Sequence, residues 1–540
     1  MSWVRQQTTN NQRRPGDSPM IVPPPGSWTL ASLERMVTQP GKSTGLFKGK
    51  KYWRYKLRSS ESDETALWMT ELAVVVMKRV MIVERRADRL TIDKGGTMSI
   101  HSKDGKTGLT KLISIHALSV RNKTAEFNNL GHILDIPLLK EAYQQIEGGK
   151  AIGIDGITKA MYGEKLDENL AALLRRIRSG TYRPKAARIV EIPKEDGSTR
   201  PLAISCLEDK LVQSAVNRIL SSIYEPLYLP CSYGFRADLN CHKALRALSQ
   251  SVYKFWDGAV VEIDLRKCFN SIPHGQLMDC LEKKIKDKRF LELIYRLLKA
   301  PILVGGRELP SELGCPQGSV VSPTLANIYL HDVVDVWFDG IKQSHVEGKA
   351  ELIRYADDMV FVFQKKRDAE RFYEVLPKRL NKYGLKLHEE KSRLIESGHT
   401  ACVRAQRRKE RLPTYYFLGF TCYWGKTRKG YWRLKFTSRR DRFTTKLKGL
   451  KEYLRKQLTT RDTESVLEHV VRVVKGWINY HGISDNQRRV KNFIKESQRT
   501  LFNWFNRRGR KNPMNWKKFS RILEEIDFPR SWKTVSMISS

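Results

Sequence analysis

The tetrad Tyr355-Ala356-Asp357-Asp358 lies between two apolar runs and constrains the fold more than any other stretch of the chain. Met359-Val360-Phe361-Val362-Phe363 is rich in β-formers and reads as a strand. Leu352 and Ile353 mark a second strand on the other side, with Arg354 as a basic flank. The two runs then form a hairpin whose two-residue turn carries adjacent carboxylates. Such a turn suits a divalent cation, because hard ions take oxygen ligands, often one or two carboxylates plus substrate phosphates. Aspartate is also common in ordinary surface turns, so the surroundings decide.

Those surroundings supply a third acid. The run from Trp256 to Asp264 contains Val260, Val261 and Ile263 and ends in a carboxylate. Gly318-Ser319-Val320-Val321-Ser322-Pro323 then opens a helix running to about Phe338, with Ser322 as N-cap and Pro323 in the first turn. Three antiparallel strands with a helix behind them bring Asp264, Asp357 and Asp358 to one edge of a sheet. Two metal ions about 4 Å apart at such a set activate a 3′-hydroxyl and stabilise a leaving pyrophosphate. Nucleotidyl transfer of this kind needs positioning and charge neutralisation more than acid-base chemistry. Asp264 and Asp357 are the expected bridging ligands, with Asp358 weaker or outer.

The charge agrees. The 540 residues carry a formal net charge of +40. Self-repulsion at that charge destabilises a compact state, and a polyanionic partner, nucleic acid above all, removes the cost. Residues 401–540 alone hold roughly 35 basic against 11 acidic side chains. The eight cysteines include no Cys-x-x-Cys pair, which argues against a disulfide framework or zinc module and for a reducing, cytoplasmic compartment. No apolar run reaches the roughly 18 residues of a membrane span; Lys78 and Arg79 interrupt the best one, Leu72 to Val83. Arg5, Arg13 and Arg14 precede the first acid, Asp17, which leaves organellar import open.

Chain length predicts several domains. Residues 1–115 carry no chemical motif, although Thr65 to Val83 reads as a helix and Asp104-Gly105 as a turn. Helices are expected over His132–Leu134 and Leu138–Ile146, then Leu166–Arg178, Asp209–Ile223 and Cys241–Lys254. Arg188–Ile192 and Leu202–Ile204 flank Glu195-Asp196-Gly197-Ser198 as a hairpin, and Gly305-Gly306 marks another.

Taken together, the motifs resemble, in order, a bacterial group II intron-type reverse transcriptase over about 116–505. They are Gly153-Ile154-Asp155-Gly156; Ile192-Pro193-Lys194 with Arg200-Pro201-Leu202; Ser232-Tyr233-Gly234-Phe235-Arg236 with Cys241-His242; Asp264 with Phe269; Pro316-Gln317-Gly318, Ser322-Pro323 and Leu325-Ala326-Asn327; the tetrad; Gly384-Leu385 with Lys391; and Phe417-Leu418-Gly419-Phe420. The resemblance implies an α+β right-hand polymerase: a 1–115 extension, fingers over 116–255, a palm over 256–425 with an antiparallel sheet on helices, a helical thumb over 426–505 and a basic tail over 506–540. It implies an RNA-directed DNA polymerase that uses two Mg²⁺ ions, with Mn²⁺ as a substitute. Its partners would be an RNA template, a DNA or RNA primer, dNTPs and a structured intron RNA, with no membrane partner.

In that frame Asp264, Leu265, Asp357 and Asp358 are the metal set. Lys194 and Arg200 close on an incoming triphosphate. Phe269 lies under the sugar and excludes a 2′-hydroxyl, or else packs in the core. Gln317-Gly318 lets the backbone approach template and nucleotide, and Tyr355 packs near the primer end. Lys391 protonates or stabilises pyrophosphate, or contacts a phosphate at a strand end. Val470–Tyr480 resembles the maturase-type thumb, and Arg507 to Lys511 is a further basic block. Two departures stand out: no paired ligands for a zinc-bearing endonuclease follow Cys422, so none is expected, and the N-terminal stretch is longer than the plain family pattern. The competing expectations are a domesticated relative serving phage defence, CRISPR adaptation or repair, and a splicing factor with a dead polymerase. The complete acid set opposes the second; Phe269 opposes RNA synthesis.

Overall fold

In a computed structural model, the structure describes residues 97–98, 108–149, 151–193, 199–255, 257–460, 462–508 and 513–538. The expected helix at Thr65–Val83, the turns at Asp104-Gly105 and Glu195–Ser198, Lys194 and most of the Arg507–Lys511 block lie outside these residues.

A layer of helices comes first. Leu166–Arg178 turns Leu170, Leu173 and Leu174 inward, with Asp167 and Glu168 in its first turn and three arginines in its last, as the helix dipole favours. Gly108–Arg121 and Ile136–Gln145 pack on Leu207–Tyr224. The Ile136 helix starts earlier than its periodicity indicates, because the Asp135 carboxylate accepts from the Leu138 N–H at 3.0 Å. His132 and Ile133 sit in a separate 3₁₀ turn.

Strands β1 (Thr97–Met98) and β2 (Glu126–Phe127) form a short parallel pair. The expected fingers hairpin is β3 (Ala187–Pro193) with β4 (Thr199–Ile204), antiparallel. β5 (Asp257–Ile263) opens the central sheet. β6 (Ile302–Val304) and β7 (Arg307–Leu309) make the Gly305-Gly306 hairpin and join β3 in a sheet ordered β4-β3-β6-β7. β8 (Ala350–Tyr355), β9 (Asp358–Phe363) and β10 (Arg393–Gly398) complete the central sheet, ordered β10-β5-β9-β8 and antiparallel throughout. The sequence indicates three of these strands; β10 escapes because Leu394 and Ile395 are its only large apolar residues. β11 (Tyr415–Phe417), β12 (Phe420–Lys426) and β13 (Trp432–Ser438) form an antiparallel meander.

Side chains on a strand alternate between faces, and here both faces of the central sheet are buried. Ala259, Val261, Ile263, Phe361 and Phe363 join the main core with Phe338 and Phe372. Val260, Val360, Val362 and Ile353 pack with Leu245 and Leu248 of helix Cys241–Lys254 and with Phe417, Phe420 and Phe436 of the meander. Covered faces leave only the sheet's ends free for chemistry.

Two expectations are corrected. Helix Ser322–Leu330 is capped at Val321, not Ser322, whose hydroxyl has no partner; Pro323 is in the first turn as expected. The helical path continues through a five-residue π segment, His331–Asp335, into Val336–Ser344. The 506–540 stretch is not simply a tail: helix Trp516–Glu525 buries Phe519 and Leu523 in the core formed by helices Arg440–Lys456, Thr463–His481 and Gln487–Arg508. A tail cannot bury two such side chains without folding.

Candidate active site

The tetrad forms a two-residue turn. Tyr355 pairs with Asp358 across β8 and β9, leaving Ala356 and Asp357 at the tip. Ala356 has φ 57°, a conformation that a residue with a Cβ adopts only when its surroundings impose it. The register of β5 and β9 ends at Ile263 opposite Met359, so the next step sets Asp264 opposite Asp358. Directly opposed residues share a face of the sheet. The Asp264 backbone is held from its other side: its N–H donates to Ser392 Oγ at 3.2 Å and its carbonyl accepts from the His388 N–H at 2.9 Å.

The three acids repel one another. Burial pushes the Asp358 carboxyl up to about 7, and the Asp357 and Asp264 charges add to the effect. Asp357 is also raised, by burial first, with Asp264 adding to it and Arg200 opposing it. Asp358 is open to solvent even so. A side chain both wetted and crowded by protein marks a concave site. Among the described residues no three His, Cys, Asp or Glu side chains converge as a ready-made metal cluster. The fit to a cation rests on the charge: three acids, two of them forced toward protonation, are relieved by a cation between them.

A buried arginine fixes the turn. Arg354 is fully buried; its Nε and Nη2 donate to the two Asp335 oxygens at 2.7 and 2.6 Å. Nη1 donates to Asn327 Oδ1 at 2.9 Å and to the Ala356 carbonyl at 3.2 Å, and Nη2 to Ser232 Oγ at 2.8 Å. Burial, the largest single effect, would push Asp335 up; the Arg354 charge together with hydrogen bonds from His331 and Arg354 overcomes it and holds the carboxyl below the ordinary range. The π segment presents Asp335 to this arginine, and such segments recur at functional sites. Gly234 presses on the same turn, where a Cβ would come 2.4 Å from the Ala356 nitrogen.

The chain is similar to known proteins in two regions. Residues 192–422 match the reverse transcriptase (RNA-dependent DNA polymerase) family, and residues 441–522 match the group II intron maturase-specific domain. The chain is 32% identical over 322 residues to the group II intron-encoded protein LtrA of Lactococcus lactis subsp. cremoris, across 58% of this chain and 47% of that protein. It is 36% identical over 215 residues to an uncharacterized 91 kDa protein in the cob intron of Schizosaccharomyces pombe, across 39% of this chain and 26% of that protein. The chain thus resembles group II intron reverse transcriptases over one region and their maturase-specific domain over the next. It spans about half or less of the length of these two relatives. Among solved structures, telomerase from Candida albicans in complex with the TWJ fragment of telomeric RNA is a distant likeness, at 13% identity and a TM-score of 0.37 over 69% of each chain.

The remaining residues expected from the reverse transcriptase resemblance are placed as follows. Lys391 is exposed, its Nζ 3.6 Å from Asp264 Oδ2. Leu265 is buried in the main core one step past Asp264. Arg200 is exposed on β4, and its charge reaches Asp357. Phe269 is partly buried on the short helix Cys268–Ser271, where its carbonyl accepts from the Cys315 N–H at 2.7 Å. Cys268 and Cys315 are small buried fillers, and burial pushes the Cys315 thiol up to about 12. The Gln317 carbonyl accepts from the Ala203 N–H at 2.7 Å. Gly318, at φ 106°, leaves room for the Ala203 carbonyl, which a Cβ would meet at 2.6 Å. Its close approach is thus to the fingers strand. Tyr355 packs in the second core beside the meander. Lys194 lies outside the described residues.

Two contributors escape the sequence reading. Arg442, in the first turn of helix Arg440–Lys456, draws the Asp358 carboxyl down against the other acids. Glu262, inside β5, accepts from Arg393 Nη2 at 2.8 Å and from the Tyr416 N–H at 2.9 Å, tying the meander to the central sheet. Arg354 and Glu262 each left a signal: a charge inside an apolar strand must have a buried partner. Among the described residues no helix is long and apolar enough to cross a membrane.

Proposed function

We propose that the protein is an RNA-directed DNA polymerase that joins dNTPs to a primer 3′-hydroxyl and also binds its parent intron RNA to assist splicing and mobility. The observation that carries the reading is the set of three mutually repelling carboxylates, Asp264, Asp357 and Asp358, at one edge of a sheet buried on both faces. Two Mg²⁺ ions, or Mn²⁺ in their stead, would supply Lewis acidity for the attacking and leaving oxygens when held by these carboxylates and the Leu265 carbonyl. The chain's own work is positioning. Arg200 from the fingers side and Arg442 from the helical side bring positive charge toward the acids. Lys391, which lies beside Asp264, would neutralise charge on the departing pyrophosphate. Phe269 and Tyr355 border the sugar and the primer end, and Lys194 closes on the triphosphate with Arg200. Helix Arg440–Lys456 carries Lys446, Lys448, Lys451 and Arg455 on exposed positions, suited to a duplex backbone.

Purified protein given poly(rA), oligo(dT), dTTP and Mg²⁺ should extend the primer. Asp357→Ala with Asp358→Ala should abolish extension while leaving RNA affinity within about twofold, since phosphate contacts come from basic side chains. Extension by that variant refutes the assignment of the acids. RNA binding without extension by the unaltered protein leaves only the splicing-factor reading.

A further inference from the structure

Phe235 is out of place by every local rule. Its side chain is 55% exposed, and its backbone is left-handed at φ 56°. A bulky residue at positive φ is a strained outlier, and an exposed phenyl ring gives up hydrophobic burial. A loop free to relax would shed both costs.

This loop cannot relax. The Tyr233 N–H donates to the Arg354 carbonyl at 2.8 Å, and the Gly234 carbonyl accepts from Asn327 Nδ2 at 2.7 Å. Arg236 is clamped by Glu225 Oε1 at 2.8 Å and the Ser232 carbonyl at 2.9 Å, and its guanidinium lies 5.2 Å from the Tyr228 ring centre. Both neighbours of Phe235 are therefore anchored, one of them on the catalytic turn. The ring they present meets Phe269 edge to face, with centroids 6.4 Å apart and planes at 89°. That geometry is an attractive aromatic arrangement. Strain held by a rigid surround, at a surface position, against a residue of the site, is the pattern of a functional constraint.

We propose that Phe235 is a positioning residue for sugar selection: its ring fixes the Phe269 ring and completes an aromatic wall against the 2′ position of the incoming 2′-deoxynucleoside triphosphate. The inference rests on the reading of Phe269 as the sugar gate. A 2′-hydroxyl pressed against such a wall loses water and gains no hydrogen-bond partner. Without Phe235 the Phe269 ring turns aside and the hydroxyl is admitted.

The test compares dTTP and rUTP incorporation on poly(rA)/oligo(dT) by the unaltered protein, Phe235→Ala, Phe235→Gly, Phe269→Ala and the Phe235→Ala/Phe269→Ala double variant. The readout is the ratio of the two kcat/KM values, which a merely structural defect lowers together and leaves unchanged. Phe235→Ala and Phe235→Gly should each cut discrimination about tenfold, a size typical of one altered apolar contact. The double variant should discriminate no worse than Phe269→Ala, because Phe235 acts through Phe269. Phe235→Gly, which relieves the positive φ, should melt no lower than the unaltered protein, separating selectivity from folding. An unchanged ratio in both Phe235 variants, with a shifted ratio in Phe269→Ala, overturns this inference and leaves the gate standing. An unchanged ratio in Phe269→Ala overturns the gate and this inference with it.

Discussion

Replacing Arg354 by methionine should be among the most damaging single changes in the chain, and the structure sets the size. The side chain makes five hydrogen bonds from a fully buried position, two of them to Asp335 and one to the Ala356 carbonyl. Methionine fills the volume but leaves Asp335 buried, with His331 Nδ1 as its other ion-pair contact at 3.6 Å. Breaking a buried pair from one side costs about 3–5 kcal/mol. Arg354 lies in a compact unit running from Arg79 to Ser540, where each kcal/mol lowers the melting temperature by less than the roughly 2–4 °C seen for 150–250 residues, so a fall of several degrees is expected by calorimetry. The Arg354→Met/Asp335→Leu double variant removes the stranded charge and should recover most of that stability, since apolar replacement of a whole buried pair is often neutral. Primer extension should not recover with it. The double variant still lacks the bond to the Ala356 carbonyl, and a misplacement of about 1 Å at a reacting centre costs on the order of 100-fold. A single variant that loses less than about 1 kcal/mol, or a double variant no more stable than the single one, refutes the desolvation argument. Full extension by the double variant refutes the positioning of the turn by Arg354.

Two further outcomes follow from other sites. His481, buried against Trp477 at 3.9 Å between ring centres, is pulled down to about 3, by burial first and then by Arg442 and His242. Its folded-state value lies below the unfolded one, so its contribution is complete above the ordinary histidine range and shrinks as pH falls through about 6.5. Unfolding at pH 5 should show ~2 kcal/mol less stability than at pH 8 from this group. His481→Gln should flatten that difference, and an unchanged pH slope would assign it elsewhere. Gly318→Ala sets a Cβ 2.6 Å from the Ala203 carbonyl at a φ of 106°, a strain of about 1–3 kcal/mol. It should raise the KM for dTTP more than it lowers RNA affinity; an unaltered KM would show that the contact with the fingers strand does not shape the nucleotide site.

Much of the site is legible because its signals are local. The tetrad's hairpin, the strand ending at Asp264 and helices such as Leu166–Arg178 and Cys241–Lys254 follow from turn chemistry and from periods of two and 3.6 residues, and the structure forms each of them. β10 is silent because its pairing to β5 supplies what its composition lacks. Arg354 reads as a flank because charge flanking a strand is usually solvated. Its partners, Ser232 and Asp335, lie 122 and 19 residues away, and no local pattern links them.

Read from the residues alone, the order of the motifs and the identity of three acids point to the metal-assisted nucleotidyl transfer proposed above and to the family the chain resembles. How those acids are held follows from the folded chain. It buried Arg354 beneath the turn, drew Arg200 and Arg442 toward the carboxylates from positions before and after them in the sequence, and left Phe235 strained in the open against Phe269. The division has a physical cause. Turns and strands are chosen by interactions a few residues apart, whereas the desolvation of a charge and the strain on a loop depend on what the whole fold brings beside them.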